Sequence, residues 1–494
     1  MPPVVRAFHN PRAADNRATQ VAHAPANPIP FLARAAARHR WRPATLLASF
    51  IALTDQSVAA NSCAPRMFRW EEDCRSLRGQ TLTGLDDLRF IPLNETASVW
   101  LTLGGEYRLK TETLDPADFG IRPTDRSYTA TGQRFLLHAD LRTESGFRTF
   151  VQLSAASDAG RKPIERPFDR SRTDVAQAFV DIPLPVLTST VLRIGRQEID
   201  SAGNRLISLR EAANLRLAFD MAHLETNIDG ISVVAFYGRP VLNRIGSFDD
   251  RGNPAETFLG GWISAPIPKT PSTVSLFYFS RDRKSAIYEQ GTAADKRRTL
   301  GLRYFGNDPT WDYAIQAAYQ YGDFGTAQIA ASGIAGDVGW HPRVWGSPRI
   351  ALSFGVASGD KRPNDKTLGT FDVLYPNLGY FTDAPVYYPG NTADTQPNVT
   401  LTLTPHLSVR TGSDFVFRVS KRDAVYAPPG IPLIRGDGTG PAFVAALTYL
   451  RADWTINPHV QLSVSGVHSS TGSLVERSGG HDFNYGALTL DLKE

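Results

Sequence analysis

Arginine and other polar side chains recur at every second position in residues 192–219, which read LRIGRQEIDSAGNRLISLREAANLRLAF. A guanidinium group stays charged at any relevant pH and can form two parallel hydrogen bonds to a carboxylate. A row of arginines can therefore bind acidic groups. In extended backbone, Arg193 and Gln197 share one face while Leu192 and Ile194 take the other. The stretch predicts two strands, each with one basic and one apolar face.

The second of these strands would follow a short Gly/Asn break. Its polar residues Ser208, Arg210, Asn214 and Arg216 alternate with Ile207, Leu209, Leu215, Leu217 and Phe219. A soluble sheet would bury the apolar face, whereas a membrane barrel would turn it to lipid and line its lumen with the arginines. Arg196 and Arg205 fall on the apolar phase, so we expect them at the extracellular rim or in a loop.

The same alternation recurs almost to the C-terminus, and this favours the barrel. In residues 134–142, Phe135, Leu137, Ala139 and Leu141 oppose Arg134, His138, Asp140 and Arg142. From Val99 onward the chain divides into segments of about ten residues, the length of a tilted membrane strand. We count eighteen segments. The predicted fold is all-β, a transmembrane antiparallel β-barrel of eighteen strands with both termini periplasmic.

The predicted connections alternate between short and long, as in outer-membrane barrels with short periplasmic turns and long extracellular loops. Short turns are expected near 143–146, 184–188, 266–271, 307–311, 340–347, 409–413 and 454–458. Long polar loops are expected near 112–131, 157–173, 239–256, 282–297, 359–397, 425–440 and 470–481. Residues 360–398 are too many for a plain connector, so we expect them to fold over or into the pore.

Two soluble all-β folds are the alternatives to the barrel. A two-sheet protein would have strands nearer five or six residues. A secreted parallel β-helix would show a short repeat of fixed period, which we do not find. The segments 205–230 and 322–340 are weakly patterned and leave the strand count open by two.

The first sixty residues differ from the rest of the chain. Basic residues from Arg34 to Arg42 precede the apolar stretch 44–53, and small residues at 58–60 suit cleavage. This layout predicts a signal or leader segment over 1–60, with a cytosolic pro-region as the alternative. We assign 61–97 to a periplasmic lead-in and 98–494 to the barrel.

The formal net charge of +4 arises from the leader, which holds seven basic and two acidic residues. The remainder is nearly neutral, so its charge gives no support for nucleic-acid binding. Cys63 and Cys74 both follow the expected cleavage site. Their spacing allows a periplasmic disulfide without requiring one, and a metal site would need more ligands nearby. Residues 60–62 match a lipoprotein cleavage box poorly.

Features typical of enzymes are sparse. His468 and Ser470 share one face of a strand, but nucleophilic catalysis also needs an orienting partner for the histidine. We find no glycine-rich phosphate loop and no Cys/His metal cluster. We expect no enzymatic activity, no cofactor and no metal site.

Several separated motifs resemble the alginate export family of outer-membrane porins, over most of residues 66–470. Each motif is weak alone, but their order and spacing agree with the barrel. Cys74 stands where an aromatic is expected, and the chain ends without the terminal aromatic common in such barrels. The resemblance rests on residues 69–77 (RWEEDCRSL), 103–106 (LGGE) with Arg108, 194–198 (IGRQE), Arg205-Leu206, Arg210-Glu211 with Asn214 and Arg216, 357–360 (ASGD), Phe371-Asp372 and 374–376 (LYP).

The resemblance implies a pore lined with basic residues that passes an anionic polyuronate outward. Acidic neighbours such as Glu106, Asp140 and Asp181 would hold the arginines in place and temper the field. Cross-lumen pairs that merely fill the barrel are the alternative role for these arginines. The candidate pore-lining residues are Arg108, Lys110, Arg134, His138, Arg142, Arg193, Arg210, Asn214, Arg216, Arg303, Arg418 and Arg422.

The expected environment is the outer membrane of a Gram-negative bacterium, with a monomer surrounded by lipid and supplied by a periplasmic export assembly. Uptake or general diffusion of small organic acids is the alternative transport function. Interfacial aromatic girdles are expected to hold Trp100, Tyr107, Tyr278, Tyr304, Tyr319 and Tyr449, with sugar stacking in the lumen as the alternative.

Overall fold

A computed structural model describes residues 63–122, 127–161, 166–185, 189–199, 205–377 and 379–494. The leader predicted over 1–60 lies outside these residues. Within them, no helix has both the length and the apolar character needed to cross a membrane.

Eighteen long strands form one closed antiparallel sheet, as the alternation predicts. Each strand pairs with the next along the chain, and residues 106–115 of the first pair with 484–493 of the last to close the barrel. The strands are β1 (Val99–Asp115), β2 (Tyr128–Thr143), β3 (Arg148–Ala159), β4 (Ser171–Leu184), β5 (Thr190–Gln197), β6 (Phe219–Ile228), β7 (Ile231–Leu242), β8 (Glu256–Pro266), β9 (Ser272–Tyr288), β10 (Gly291–Asn307), β11 (Trp311–Phe324), β12 (Ala327–Trp340), β13 (Arg349–Ala357), β14 (Thr392–Thr404), β15 (Leu407–Arg418), β16 (Phe443–Asn457), β17 (Val460–Thr471) and β18 (Asn484–Lys493).

Short elements decorate the ends of the barrel. The two-residue strands are Ile91–Pro92, Arg251–Gly252 and Thr367–Leu368, and Val425–Ala427 pairs with Ile431–Ile434 in a small hairpin. The 3-10 helices are Arg69–Glu71, Cys74–Leu77, Gly84–Leu88, Ala117–Gly120 and Pro167–Asp169, and the α-helix is Ser473–Arg477.

The strand β2 shows that the two faces divide as predicted. Leu137 is 65% exposed on the outside, whereas Arg134 is fully buried and His138 and Asp140 nearly so. Lipid would cover the outward apolar side chains, and the polar side chains face the lumen. Two of the aromatic predictions are wrong, because Trp100 and Tyr449 are buried instead of facing lipid.

Two predicted connections are wrong for a common reason. Residues 409–413 lie inside β15, and the loop expected over 282–297 is a tight turn, because β9 continues to Tyr288 and β10 begins at Gly291. In both places polar side chains occupy both faces of a strand that has not ended, with Lys296 and Thr411 exposed on the outside.

The second strand predicted within residues 192–219 does not form. After β5, residues 198–199 and 205–218 fold into the lumen, and β6 begins at Phe219. Leu206, Ile207 and Leu217 pack inside the barrel in the largest hydrophobic cluster rather than against lipid. We call residues 198–199 and 205–218 the first inserted loop. Its alternation arises because both of its faces are buried.

The connection between β13 and β14 also enters the lumen, as its length predicts. We call residues 358–377 and 379–391 the second inserted loop. The two loops meet backbone to backbone, where the Ser208 amide donates to the Tyr375 carbonyl and the Tyr375 amide donates to the Leu206 carbonyl, each at 2.9 Å. Together they form a partition inside the barrel.

The lead-in packs against the periplasmic end of the wall. Cys63 and Cys74 form a disulfide, so the pairing that the spacing allows is present. Arg69 is buried, and it donates to the backbone carbonyl of Glu494. A Cβ on Gly104 would lie 2.6 Å from that same carbonyl oxygen, which explains the need for glycine at this close approach.

Candidate functional site

A cluster of arginines and carboxylates lies where the first inserted loop meets β1 and β2. Arg108 and Arg134 are directly opposite each other in the register of these strands. Like charges in that arrangement repel, so the pair needs carboxylates beside it. Glu106 supplies one from the wall and accepts from Arg134, and Asp491 on β18 accepts from Nε of Arg108 at 2.7 Å.

Glu211 of the first inserted loop is the centre of this cluster. Its Oε1 accepts from Arg108 and, at 2.7 Å, from Arg134, while its Oε2 accepts from Arg216. Burial alone would raise the pKa of Glu211, but the guanidinium groups of Arg108, Arg134 and Arg216 hold it well below its usual range. One carboxylate thus bridges three arginines from three segments of the chain.

Asn214 holds the first inserted loop against the wall. Its Nδ2 donates to the backbone carbonyls of Gln133 at 3.1 Å, Ser157 at 2.9 Å and Asp169 at 3.0 Å. The residue was predicted on a strand face, and it lies instead in the loop and positions Glu211 and Arg216. Arg210 and Arg216 are likewise loop residues rather than strand residues.

A cavity of about 550 Å³ opens beside the cluster, between the first inserted loop and the second. Basic and acidic side chains alternate around it, so the positive charges are not left free. Lys110 and Arg161 both pair with Glu112. The charged lining is Arg108, Lys110, Arg161, Arg166, Glu112, Asp158, Asp169 and Asp383. We call this the basic cavity after Arg108 and Lys110 of β1 and Arg161 and Arg166 of the connection between β3 and β4, although its lining also holds four carboxylates.

Two further predicted residues, Arg142 and Arg193, face the lead-in. Nε of Arg142 donates to Asp140 at 3.0 Å, and Arg193 donates to both oxygens of Asp181 at 2.6 and 2.8 Å. The guanidinium of Arg193 also lies 4.8 Å from the centre of the Trp70 ring. These arginines join the wall to the lead-in at the periplasmic mouth.

His138 lies between the cluster and the mouth. It is buried, and its ring stacks on Phe150 with centroids 5.5 Å apart. Nδ1 has no hydrogen-bond partner among the residues that the structure describes.

The other predicted arginines are dispersed. Arg303 faces inward from β10 and lies over Phe305, at 3.9 Å from the ring centre. Arg418 donates to loop carbonyls of Pro441 and Lys421, at 3.1 and 3.3 Å, and so secures an extracellular loop. Arg422 lies exposed in that loop, outside the strands. The predicted group is therefore not one ring.

A second buried cluster was missed by the sequence analysis. Arg281, Arg283 and Arg297 on β9 and β10 surround Asp372 of the second inserted loop and Asp295. The Arg283–Asp372 distance is 2.7 Å. The signal was the alternation of Arg281 and Arg283, which the loop prediction over 282–297 concealed.

Glu198, at the start of the first inserted loop, is buried with one oxygen that no described residue hydrogen-bonds. Burial raises the pKa of Glu198 to about 7. The nearby charges are those of Arg134, Arg216, Glu106 and Glu211.

One acidic group among the described residues has the spacing of a metal site. The carboxylate oxygens of Asp174, Asp249 and Asp250 lie within 4.8 Å of one another. Oδ2 of Asp174 already accepts the amides of Asp249 and Asp250, at 2.8 and 3.0 Å. These bonds fold the loop between β7 and β8 onto β4.

His468 and Ser470 lie on the exposed side of β17, as expected for a lipid-facing position. Nδ1 of His468 is 2.9 Å from the side-chain oxygen of Asn484.

Comparison with known proteins places this geometry in a family. A family model described as alginate export matches residues 99–488. No curated protein matches the sequence.

Solved structures of outer-membrane channels share the fold at low sequence identity. OccK9 (OpdG) of Pseudomonas aeruginosa is 12% identical, with a TM-score of 0.56, covering 80% of this chain and 98% of its own. OccAB1 of Acinetobacter baumannii is 12% identical, with a TM-score of 0.55 and coverages of 80% and 96%. OccK2 (OpdF) of P. aeruginosa, solved in complex with glucuronate, is 11% identical, with a TM-score of 0.53 and coverages of 80% and 97%.

Proposed function

This chain belongs to the alginate export family and has the barrel fold of an outer-membrane channel, and from that premise we propose that it exports an acidic polysaccharide such as alginate. The path that we propose is the basic cavity, with its anion selectivity set by the arginines on β1 and β2. The observation that carries the proposal is the convergence of Arg108, Arg134 and Arg216 on the one carboxylate of Glu211.

Glu211 holds the place of a substrate carboxylate in this proposal. A polyuronate carries one carboxylate on each sugar, the same group that Glu211 presents to three arginines. A buried ion pair gains little net free energy, because desolvation offsets most of the Coulomb attraction. One carboxylate can therefore replace another at small net cost. Displacement of the first inserted loop would pass these arginines to the polymer.

The acidic residues in the basic cavity favour release of the substrate. Glu112, Asp158 and Asp169 compete with the substrate for the same cations. Several weak contacts that exchange along the path allow an anion to enter and also to leave. A lining of unpaired arginines would trap the polymer.

Planar-bilayer recording of the purified protein tests this function. We expect anion selectivity in a salt gradient, and block by oligouronates but not by neutral oligosaccharides of the same length. Cation selectivity together with no block by any oligouronate would contradict the proposal.

A second candidate function is uptake of small organic acids. It is favoured by the two inserted loops, which pack against each other inside the barrel and narrow the lumen. OccK2, which shares the fold, was solved with a single uronate. A length series separates the candidates: block that strengthens as the oligouronate lengthens supports polymer passage, and block by monomers alone supports uptake.

The outward face of the barrel suits a lipid environment. Outward side chains such as Leu137, Leu276 and Leu300 are exposed and suit contact with outer-membrane lipid of a Gram-negative bacterium. We propose a monomer that receives polymer from a periplasmic assembly. Size-exclusion chromatography with light scattering, in detergent, tests the monomer.

A further inference from the structure

A recess of about 540 Å³ lies on the opposite side of the lumen from the basic cavity. Its wall side is formed by β11 to β14 and its inner side by the two inserted loops. Its lining is mainly apolar, with few polar side chains, as in sites that bind small molecules. Residues of the wall that line it are Ala318, Gly333, Ala335, Gly355 and Asp394.

Asp394 presents an unused carboxylate to this recess. The residue is 8% exposed, and no described residue donates a hydrogen bond to it. Buried polar groups in proteins are nearly always hydrogen-bonded, so such an exception calls for a partner. The cation that acts on it electrostatically is Arg205. A ligand with hydroxyl donors would satisfy it.

Small residues on the wall keep the recess open around Asp394. A Cβ on residue 355 would lie 2.5 Å from Oδ1 of Asp394 and 3.0 Å from the Tyr380 hydroxyl. Gly355 therefore lets the carboxylate and the phenol approach the wall. Ala318 and Ala335 line the neighbouring part of the floor with single methyl groups.

The loop side supplies flat apolar surfaces and one cation. Phe371, Tyr380 and Pro389 line the recess, and Nη1 of Arg205 donates to the Tyr380 hydroxyl at 2.8 Å. Arg205 was predicted at the rim or in a loop, and it lies in the first inserted loop. One arginine and one aspartate give the recess almost no net charge.

We propose that this recess is a sugar-binding site that holds one pyranose ring. The rings of Phe371 and Tyr380 would cover an apolar face of the sugar. Asp394 would accept from two hydroxyl groups, and Arg205 would donate to a third oxygen. Because the recess is mainly apolar and holds one cation and one carboxylate, it selects the sugar ring rather than its charge, whereas eight charged residues line the basic cavity. Only the source of the sugar, a transported polysaccharide, rests on the proposed export function.

Saturation-transfer NMR on the purified full-length protein tests the site, with neutral methyl glucoside and glucuronate as probes. We expect both to bind. Asp394→Asn and Ala335→Trp should each weaken binding of the neutral glycoside at least fivefold, the first because an NH2 donor replaces one acceptor oxygen and the second because the indole fills the recess. Asp437→Asn is the control, because Asp437 is an exposed carboxylate in the loop after β15 that does not line the recess.

The outcomes separate this site from the export function. The absence of glycoside binding, or equal binding by wild type and Asp394→Asn, overturns the sugar site. Where Ala335→Trp fails to fold, the isosteric Asp394→Asn variant decides. Anion selectivity is recorded on the same preparations. Loss of anion selectivity in a preparation that still binds the glycoside would contradict the channel proposal and leave the sugar site standing.

Discussion

The two halves of the lumen handle buried charge in opposite ways. In the basic half, near β1, β2 and β18, each carboxylate of the cluster meets an arginine, and Glu211 meets three. In the recess half, Asp394 and Asp414 are buried without hydrogen bonds from any residue the structure describes. In the basic half, Glu211 of the first inserted loop supplies the carboxylate that pairs with the arginines of the wall. In the recess half, no described residue supplies a hydrogen-bond donor to the two aspartates of the wall.

This difference identifies what each half is suited to bind. Pairs in the basic half are exchangeable, because a carboxylate from outside can replace one from the loop. The recess half offers acceptors that a neutral donor can fill. Counting charged residues along the lumen would not separate the halves, since both contain arginine and aspartate. The halves differ in whether the buried carboxylates are paired with side chains of the protein itself.

Loss of Arg134 should have the largest effect on the basic half. Arg134→Ala leaves the fully buried Glu106 without its closest cation. Breaking a buried pair from one side costs about 3–5 kcal/mol, so we expect the free energy of unfolding in urea to fall by that amount. Arg422→Ala, on an exposed loop, should change it by less than about 0.5 kcal/mol. Equal effects of the two substitutions would show that Arg134 is not a buried pairing residue.

Neutralising Glu211 should sharpen the selectivity of the basic half. Glu211→Gln keeps the size of the side chain and leaves three arginines partly uncompensated. We expect the anion-to-cation permeability ratio, from reversal potentials, to rise by about tenfold, equivalent to about 1.4 kcal/mol of added preference for anions. Glu476→Gln, exposed on the helix Ser473–Arg477, is the control. An unchanged permeability ratio in Glu211→Gln would contradict the proposal that Glu211 occupies the place of a substrate carboxylate.

A smaller change, in conductance, should accompany the titration of Glu198. Its folded pKa of about 7 lies above the ordinary value of 4.5, so the inserted loop loses stability as pH rises through 7. Below about 4.5 that stability is fully present. We expect conductance at pH 8 to exceed that at pH 6 by about twofold, because the loop opens more often. In Glu198→Gln the two conductances should be equal, and a persistent pH step there would assign it to another group.

The barrel could be predicted from the sequence because lipid and lumen impose a strict period of two on each strand. The faces of β2 follow from that period, which left the number of strands open by two; the count of eighteen is confirmed by the structure. The first inserted loop could not be predicted, because burial on both of its sides also produces alternation. Arg108 and Glu211 are 103 residues apart, so their pairing is invisible to local pattern. Arg281 and Arg283 were missed because polarity in a strand was taken for a loop.

The most direct test of the central claim is to label one matched alanine in each half. Ala213 lines the basic cavity and Ala318 lines the recess, and they are 6% and 8% exposed. The native cysteines form a disulfide, so a single introduced cysteine can be modified selectively. Modification of Ala213→Cys by a sulfonate thiol reagent should reduce single-channel current by more than half, and oligouronate should protect it. Modification of Ala318→Cys should leave the current near that of the unmodified channel. A block confined to Ala318→Cys would contradict the account and place the ion path in the recess.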